Sequence, residues 1–379
     1  MQFRDLKKQY SVLKEEIDKV MINVAASSQY INGPWVRDLE TALAEYVGVK
    51  HCITCANGTD ALSIAMMAWG FHEGDAVFVP DFTFCSSGEI VSLAGCTPVF
   101  VDVDKDSYNM SAESLEKAII KVGKEGRLVP RAIVAVDLFG LPANFNAIRP
   151  IADKYGLLVL EDGAQGFGGE INGRKACSFG DISTTSFFPA KPLGCYGDGG
   201  AVFTDDDELA SLIQSIRVHG KGSNKYDNVR LGINSRLDSI QAAILQVKLK
   251  AFVDYELDDV NKVAEKYTGF LSEAFGCKVK LPVIPKGFLS SWAQYTIQLS
   301  NRETRDSVKE ALNEKGIPSM VYYQKAMHLQ EVFGFGNDYE YDCSNTEELC
   351  DTVLSLPMHP YMTDDDIKTV TDALVAAVK

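Results

Sequence analysis

A single lysine stands between two prolines in the segment SFFPAKPLGCYGDGGA, residues 186–201. Pro189 and Pro192 lie close on either side of Lys191, and a glycine-rich stretch follows. Proline restricts the backbone and glycine permits sharp turns, so the direction of this amine is under closer control than that of a surface lysine. A positioned lysine can form an imine with a carbonyl compound. Taken alone, Lys191 could equally be an ordinary solvated cation.

An acidic residue ends another apolar segment, LLVLEDGAQGFGG, residues 157–169. Asp162 stands at the end of the predicted strand, and Gln165 follows three residues later. A buried carboxylate is costly unless it meets a cation or hydrogen-bond donors, although a helix cap or turn is the alternative here. A dinucleotide-binding pattern counted from Gly166 places Ile171 where the third glycine belongs, so a nicotinamide site is not favoured.

A third segment, CANGTDALSIAM, is typical of a strand that leads into a helix. Gly58, Thr59 and Asp60 would then lie at the positive end of the helix, where free backbone amides and a hydroxyl suit a phosphate group. The alternative is that Thr59 only caps the helix.

Taken in chain order, these three segments offer a phosphate seat, an acid that ends one strand and a lysine that follows another, which is what pyridoxal 5'-phosphate requires. A carboxylate keeps the ring nitrogen protonated, hydrogen-bond donors hold the phosphate, and a lysine forms the imine.

The chain resembles the DegT/DnrJ family of nucleotide-sugar aminotransferases, which have the aspartate-aminotransferase-like fold (fold type I). The resemblance covers essentially the whole chain and is nearest to enzymes that aminate C3 of a UDP-linked 3-keto-N-acetylhexuronic acid. The motifs that carry it are CANGTDAL, FVPDFTF, VLEDGAQGFG, SFFPAKPLGCYGDGGA, NSRLDSIQAAIL and SLPMHP.

The resemblance implies a role for each residue of the cofactor site. Lys191 would be the Schiff-base lysine, Asp162 would bind the pyridine nitrogen, and Gln165 would lie near the phenolic oxygen. Phe84 would stack on the ring, with packing in the core as the alternative. The phosphate would be seated by Gly58, Thr59, Asp60 (through its backbone amide) and Ser186.

The resemblance also implies a homodimer with shared active sites. Asn234 would reach the cofactor phosphate of the neighbouring subunit and Arg236 its substrate; alternatively, Asn234 and Ser235 cap the long helix that follows.

Candidate sugar contacts come from two further segments. One contains His219, for which a plain loop is the alternative. The other contains Tyr322, Tyr323, Lys325 and His328, for which a strand and a helix start are the alternative. Gln324 and Ala326 depart from the family's usual proline-containing pattern, which leaves the exact sugar open.

The expected reaction is ping-pong transfer of an amino group from L-glutamate to the keto sugar, for surface polysaccharide or glycan synthesis. A C3 or C4 aminotransferase acting on a UDP- or dTDP-linked keto-6-deoxyhexose is the alternative. A dehydratase is disfavoured because such relatives carry histidine in place of Lys191. A non-catalytic relative is disfavoured because the predicted cofactor residues are all present.

The elements expected around these residues form an α/β fold. Short apolar strands alternate with helices through the first 240 residues, which predicts a mostly parallel sheet with its ligand at the carboxyl ends of the strands. The resemblance implies seven strands. We expect a large cofactor-binding domain over residues 1–250 and a smaller α+β domain over residues 251–379, with an antiparallel sheet.

Composition excludes several other classes. The net charge of −15 argues against a nucleic-acid partner, because phosphate backbones need clustered cations. The N-terminal segment lacks the apolar core of a signal peptide and no apolar run suits a membrane span, so we expect a cytoplasmic protein. The nine cysteines include one C-x-x-C, Cys52 and Cys55, without a second pair, so no metal site is expected.

Overall fold

The protein is described by a computed structural model over residues 1–224, 226–334 and 340–378. The strands are β1 His51–Cys55, β2 Asp75–Pro80, β3 Thr97–Val101, β4 Val129–Val136, β5 Leu158–Asp162, β6 Glu170–Ile171, β7 Arg174–Lys175, β8 Ile182–Ser186, β9 Gly200–Thr204, β10 Phe288–Leu289, β11 Tyr295–Gln298 and β12 Val353–Leu356. The α-helices are α1 Leu6–Ser27, α2 Pro34–Val47, α3 Gly58–Trp69, α4 Ser86–Leu93, α5 Ala112–Glu125, α6 Phe145–Tyr155, α7 Asp207–Ile216, α8 Ser239–Ala251, α9 Leu257–Phe275, α10 Arg302–Glu314, α11 Glu331–Gly334, α12 Ser344–Thr352 and α13 Asp364–Ala377.

The main sheet has seven strands in the order β1-β9-β8-β5-β4-β2-β3. Only β9 runs antiparallel to its neighbours, β1 and β8, among the pairings of this sheet. The pairs β2–β3, β2–β4, β4–β5 and β5–β8 are parallel. The predicted α/β fold with a mostly parallel seven-stranded sheet is therefore confirmed.

Both faces of this sheet are buried. Along β4, Ala132 and Val134 belong to one hydrophobic cluster, whereas Ile133 and Ala135 belong to another. Successive side chains of a strand point to opposite faces, so helices must cover both sides. Because helices cover both faces, the central strands have continuous apolar sequences. Polar side chains that could bind a ligand are therefore expected at the carboxyl ends of the strands.

The C-terminal part has a separate core around the two-stranded antiparallel sheet β11–β12. Helices α9, α10 and α13 contribute buried residues to this core. α8 continues through a π-helical segment, Phe252–Glu256, into α9. The expected domain boundary near residue 250 falls inside this helical run and stays a prediction.

Two helix starts differ from the alternatives considered above. α3 begins at Gly58 and is capped by Asn57, whose Oδ1 accepts from the Asp60 amide at 2.8 Å, so a Thr59 cap is wrong. α8 begins at Ser239, directly after Asp238, so Asn234 and Ser235 do not cap it. Asn57 caps the first helical turn because the short side chain of an N-cap asparagine can accept a hydrogen bond from the backbone amide three residues ahead.

Among the helices in the described part of the chain, none is both long and apolar enough to cross a membrane.

Candidate active site

The predicted site residues gather at the carboxyl edge of the main sheet. β5 ends at Asp162, β8 ends at Ser186, and Lys191 follows five residues later. The start of α3 lies against the end of β8, because a Cβ built on Gly58 would stand 2.7 Å from Cβ of Ser186. Only a glycine allows the first turn of this helix to approach the strand so closely.

Asp162 is a buried carboxylate with two hydrogen-bond donors. It is 4% exposed; its Oδ2 accepts from Oγ of Ser87 at 2.8 Å and its Oδ1 from the amide of Ala164 at 3.2 Å. Burial raises the pKa of Asp162, and these two donors and the charge of Lys191 partly offset the rise. A protonated ring nitrogen placed here would favour the carboxylate form of Asp162 and gain a charge-assisted hydrogen bond.

Lys191 is half-buried in a tight turn, in which its amide donates to the carbonyl of Phe188 at 2.9 Å. Burial lowers the pKa of the Lys191 amine, Asp162 acts in the opposite direction, and Arg4 adds to the lowering. The amine therefore deprotonates more readily than that of an exposed lysine. A neutral amine is the form that attacks a carbonyl carbon.

The candidate phosphate seat combines the α3 terminus with Ser186. The amide of Asp60, which the resemblance assigns to the phosphate, donates to Asn57 in this structure. The carboxylate of Asp60 accepts from Oγ of Ser235 at 2.6 Å. Gly58 and Thr59 lead the helix, whose positive end suits an anion.

Gln165 links β5 to the C-terminal part of the chain. Its Oε1 accepts from the Phe139 amide at 2.9 Å, and its Nε2 donates to the hydroxyl of Tyr323 at 3.2 Å. Burial raises the pKa of Tyr323, which therefore stays a neutral phenol. Tyr323 is thereby placed beside a predicted cofactor residue.

Phe84 is 56% exposed, so the alternative that it packs in the core is wrong. The buried aromatic of this segment is Phe82, at 1% exposure. The exposed ring of Phe84 leaves a face available to a planar ligand, and its stacking role stays a prediction.

Other predicted contacts lie nearer the surface. Asn234, His219 and Lys325 are exposed, and Arg236 and Tyr322 are half-buried. The first two belong to neighbouring turns, since the His219 amide donates to Ile233 and Val218 pairs with Asn234. Residues around Tyr322 form neither a strand nor an α-helix start, and a 3₁₀ turn, Met327–Leu329, follows.

His328 is held by carboxylates. Its Nδ1 lies 2.6 Å from Oδ2 of the buried Asp81, its amide donates to Oδ1 of Asp81, and its Nε2 lies 3.4 Å from Oε1 of Glu347. The hydrogen bond to Asp81 raises the pKa of His328. Both ring nitrogens thus face acids of the chain, and a sugar contact by His328 stays a prediction.

Cys343 lies beside this pair, and the three side chains have the residue types of a metal site. Burial raises the pKa of the Cys343 thiol, and the nearby Asp81 charge raises it further. The imidazole of His328 is hydrogen-bonded to Asp81 in this cluster, and the expectation that the protein has no metal site stays a prediction.

Sequence reasoning missed two groups behind Asp162. Ser87, in α4, provides its hydroxyl donor. Asp137 directly follows β4 and is fully buried; burial and the charge of Glu161 raise the pKa of Asp137 well above its usual range. Glu161 accepts from the amides of Cys177 and Phe179, both at 2.6 Å. The rule that located Asp162, an acid at the end of a buried strand, would also have located Asp137.

The geometry of these residues fits pyridoxal phosphate. A buried carboxylate, a lysine with a lowered pKa, an anion-binding helix start pressed against Ser186 and an exposed aromatic ring occupy one edge of the sheet.

Residues 11–375 match the DegT/DnrJ/EryC1/StrS aminotransferase family. The chain belongs to this family. It is 43% identical to the UDP-2-acetamido-2-deoxy-3-oxo-D-glucuronate aminotransferase of Pseudomonas aeruginosa, with 99% of both chains covered. It is 40% identical to the UDP-N-acetyl-3-dehydro-alpha-D-glucosamine 3-aminotransferase of Acidithiobacillus ferrooxidans, with 98% of this chain and 96% of the relative covered.

Solved structures show the same fold for this aminotransferase. A DegT DnrJ EryC1 StrS aminotransferase from Brucella abortus superposes with a TM-score of 0.94 at 48% identity, over 99% of this chain and 98% of that one. The NtdA protein of Bacillus subtilis, solved with bound cofactor PMP, superposes with a TM-score of 0.88 at 28% identity, over 97% of this chain and 82% of that one.

Proposed function

We propose that this aminotransferase uses pyridoxal 5'-phosphate to transfer an amino group from L-glutamate to C3 of a UDP-linked 2-acetamido-2-deoxy-3-keto-hexuronic acid. The product would supply the synthesis of a surface polysaccharide or glycan. The observation that carries the proposal is that Lys191 and Asp162 lie within electrostatic reach of each other at the carboxyl edge of the sheet, in a chain that is 43% identical to a 3-oxo-glucuronate aminotransferase.

The chain's own residues divide the work between holding the cofactor and moving protons. Pyridoxal phosphate, when bound, supplies an electron sink for the carbon that exchanges its amino group. Asp162 would hold the protonated ring nitrogen, and the α3 start with Ser186 would hold the phosphate. The Nζ atom of Lys191 would bind the cofactor's carbonyl carbon and, once displaced, take the proton from the α-carbon of glutamate as a general base.

We further propose that two subunits complete each site. Asn234 is exposed on a turn next to His219, and Arg236 lies two residues further on. These side chains are available to an adjacent copy, as the family resemblance implies, with Asn234 at the phosphate and Arg236 at the sugar.

The first experiment tests the cofactor role of Lys191. Protein loaded with pyridoxal phosphate is reduced with borohydride, and the modified peptide is identified by mass spectrometry. We expect modification at Lys191 and none in Lys191→Ala, while Lys250→Ala on an exposed position of α8 retains it. Reduction onto another lysine would refute the proposal.

The second experiment identifies the sugar. The pyridoxamine form of the enzyme is offered 3-keto and 4-keto sugars linked to UDP or dTDP, and the product position is read by NMR. The two relatives named above differ at C6 of their sugars, a carboxylate in one and a hydroxymethyl group in the other. We therefore expect the 3-keto hexuronate to react faster than its hydroxymethyl analogue; preference for a 4-keto or dTDP-linked sugar would contradict the assignment.

A further inference from the structure

The loop that follows Lys191 is held by hydrogen bonds between its backbone and side chains from other parts of the chain. Helix α8 contacts it at Tyr196, where Oε1 of Gln241 accepts from the backbone amide at 2.8 Å and Nε2 donates to the backbone carbonyl at 3.1 Å. Seven residues further along the same helix, Lys248 donates from Nζ to the carbonyl of Gly194. Residues seven apart lie on one helix face, so α8 holds the loop at two points.

Lys248 is an unusual residue to find in this position. It is only 2% exposed, and burial lowers its pKa to about 8. A fully buried ammonium is among the costliest groups in a folded protein unless it is paired. Helix α1 packs against α8, and its buried Ile17 lies in the same cluster as Ile244 and Ala251 of α8.

A second cation reaches the loop from the N-terminal segment. Nη2 of Arg4 donates to the carbonyl of Pro192 at 3.2 Å, directly after Lys191. Arg4 keeps its charge at neutral pH, since burial lowers its pKa only to about 10. The backbone carbonyls of Pro192 and Gly194 therefore both receive a cationic donor.

Glu256 is the acid that balances these two cations. It is 3% exposed, it attracts both Arg4 and Lys248, and it lies with Arg4 and Pro192 around one cavity of about 10 Å³. Its Oε1 accepts from Nε2 of Gln9 at 2.8 Å and from the hydroxyl of Tyr361. The N-terminal segment, the α8–π-helical run and the loop that carries Tyr361 thus meet beside the loop that follows Lys191.

We propose that Arg4, Lys248 and Glu256 are positioning residues for Lys191: the two cations fix the carbonyls of Pro192 and Gly194, and the acid holds the cations. The proposal rests on the proposed role of Lys191 in binding the cofactor. A neutral donor would serve for stability alone, whereas the charge of Arg4 also lowers the pKa of the Lys191 amine, against the opposing charge of Asp162.

The test separates positioning from simple stability. We compare three variants, Arg4→Gln, Arg4→Lys and Lys248→Met, with the control Lys250→Met. Lys250 lies two residues after Lys248, is exposed and forms an ion pair with Asp254. In cofactor-free protein, the rate at which an amine-reactive reagent modifies Lys191 is measured at several pH values by peptide mass spectrometry. The unfolding temperature of each variant is measured as well. In loaded protein, kcat and KM for glutamate are measured.

The pH at which Lys191 reacts at half its maximal rate should rise in Arg4→Gln, because a neighbouring positive charge is lost. Arg4→Lys should restore the wild-type value. We expect Lys248→Met to lower kcat by about 10- to 100-fold with KM changed by less than about threefold, the cost of a misplaced reacting group. Lys250→Met should match the wild type.

If Arg4→Gln and Lys248→Met lower only the unfolding temperature, while kcat and the pH of half-maximal Lys191 reaction stay unchanged, the proposal is overturned and the network is purely structural. Should Lys248→Met fail to fold, Arg4→Gln decides by the same criteria. Absence of a borohydride-fixed cofactor on wild-type Lys191 would instead refute the proposed function itself, so the two failures are distinguishable.

Discussion

Gln165 and Tyr323 join the end of strand β5 to a loop more than 150 residues away by a hydrogen bond of 3.2 Å from amide to phenol. The same amide group accepts from the backbone of Phe139, so both ends of the Gln165 side chain are fixed. The side chain predicted to lie near the cofactor's phenolic oxygen is therefore oriented by a residue that was considered only as a sugar contact.

Tyr323→Phe should leave the side chain of Gln165 less firmly oriented and lower the free energy of unfolding. The amide of Gln165 would lose its acceptor, and an unpaired buried donor costs about 1–3 kcal/mol, which urea unfolding measures. Tyr322→Phe is the matched control, because its hydroxyl makes no hydrogen bond with the described residues, and its effect should stay within about 0.5 kcal/mol.

Kinetics of the same variants distinguish two roles for Tyr323. If the phenol acts through Gln165, the glutamate and sugar half-reactions both slow in Tyr323→Phe. If it contacts only the sugar, the glutamate half-reaction keeps its wild-type rate.

Ser87→Ala tests the hydroxyl donor behind Asp162. Without this donor the pKa of Asp162 rises further, and the carboxylate needed by a protonated ring nitrogen becomes harder to form. Hydrogen bonds to charged groups are worth about 1.5–3 kcal/mol, so we expect cofactor affinity to fall by about tenfold or more. Spectroscopic titration of cofactor-free protein measures this. Ser92→Ala, at an exposed position of the same helix α4, should bind normally.

Asp137→Asn probes the buried acid pair. In the native state Asp137 holds its proton because burial and Glu161 raise its pKa, whereas in the unfolded chain it ionises with an ordinary carboxyl pKa. The wild type therefore loses stability as pH rises above the unfolded pKa, by up to about 1.4 kcal/mol per pH unit, until the raised native pKa is passed.

The Asp137→Asn variant carries no such proton, so its free energy of unfolding, measured between pH 5 and pH 9, should lack this contribution and fall less steeply. The introduced side chain would still accept from the amide of Ala143, as Oδ1 of Asp137 does at 2.9 Å. Asp137→Ala, the control, leaves the buried amide of Ala143 without its acceptor and should destabilise the protein at every pH. Parallel pH profiles for wild type and Asp137→Asn would contradict the protonated state.

The pattern of strand ends predicted which residues lie together at the candidate site. Asp162 and Ser186 end strands of the main sheet, and Lys191 follows in the same region, because parallel strands place their carboxyl ends along one edge. Fold class followed from the alternation of short apolar runs with helices.

Residues whose role depends on distant packing did not follow from the sequence. Lys248 lies in an amphipathic stretch where a lysine normally faces water, but in the fold α1 and α2 both pack against α8 and Lys248 is buried. The sequence does not single out Asn57 as the cap of α3, because Thr59, which is also a common capping residue, stands two positions later. A local pattern predicts the periodicity of a helix, but it does not show which of its faces another helix will cover.

The last prediction concerns the assembly of the site from two subunits. Mixing Lys191→Ala with Asn234→Ala chains would produce heterodimers in which one site has an intact lysine from one subunit and an intact asparagine from the other. With random pairing in a two-fold symmetric dimer, we expect about one quarter of wild-type activity from two parents that are each nearly inactive. Lys191→Ala mixed with Asp162→Ala is the control, because both residues belong to the same subunit's site and no site is restored. If the first mixture stays as inactive as the control after subunit exchange is verified by mass spectrometry, Asn234 acts within its own subunit and the shared site is disproved.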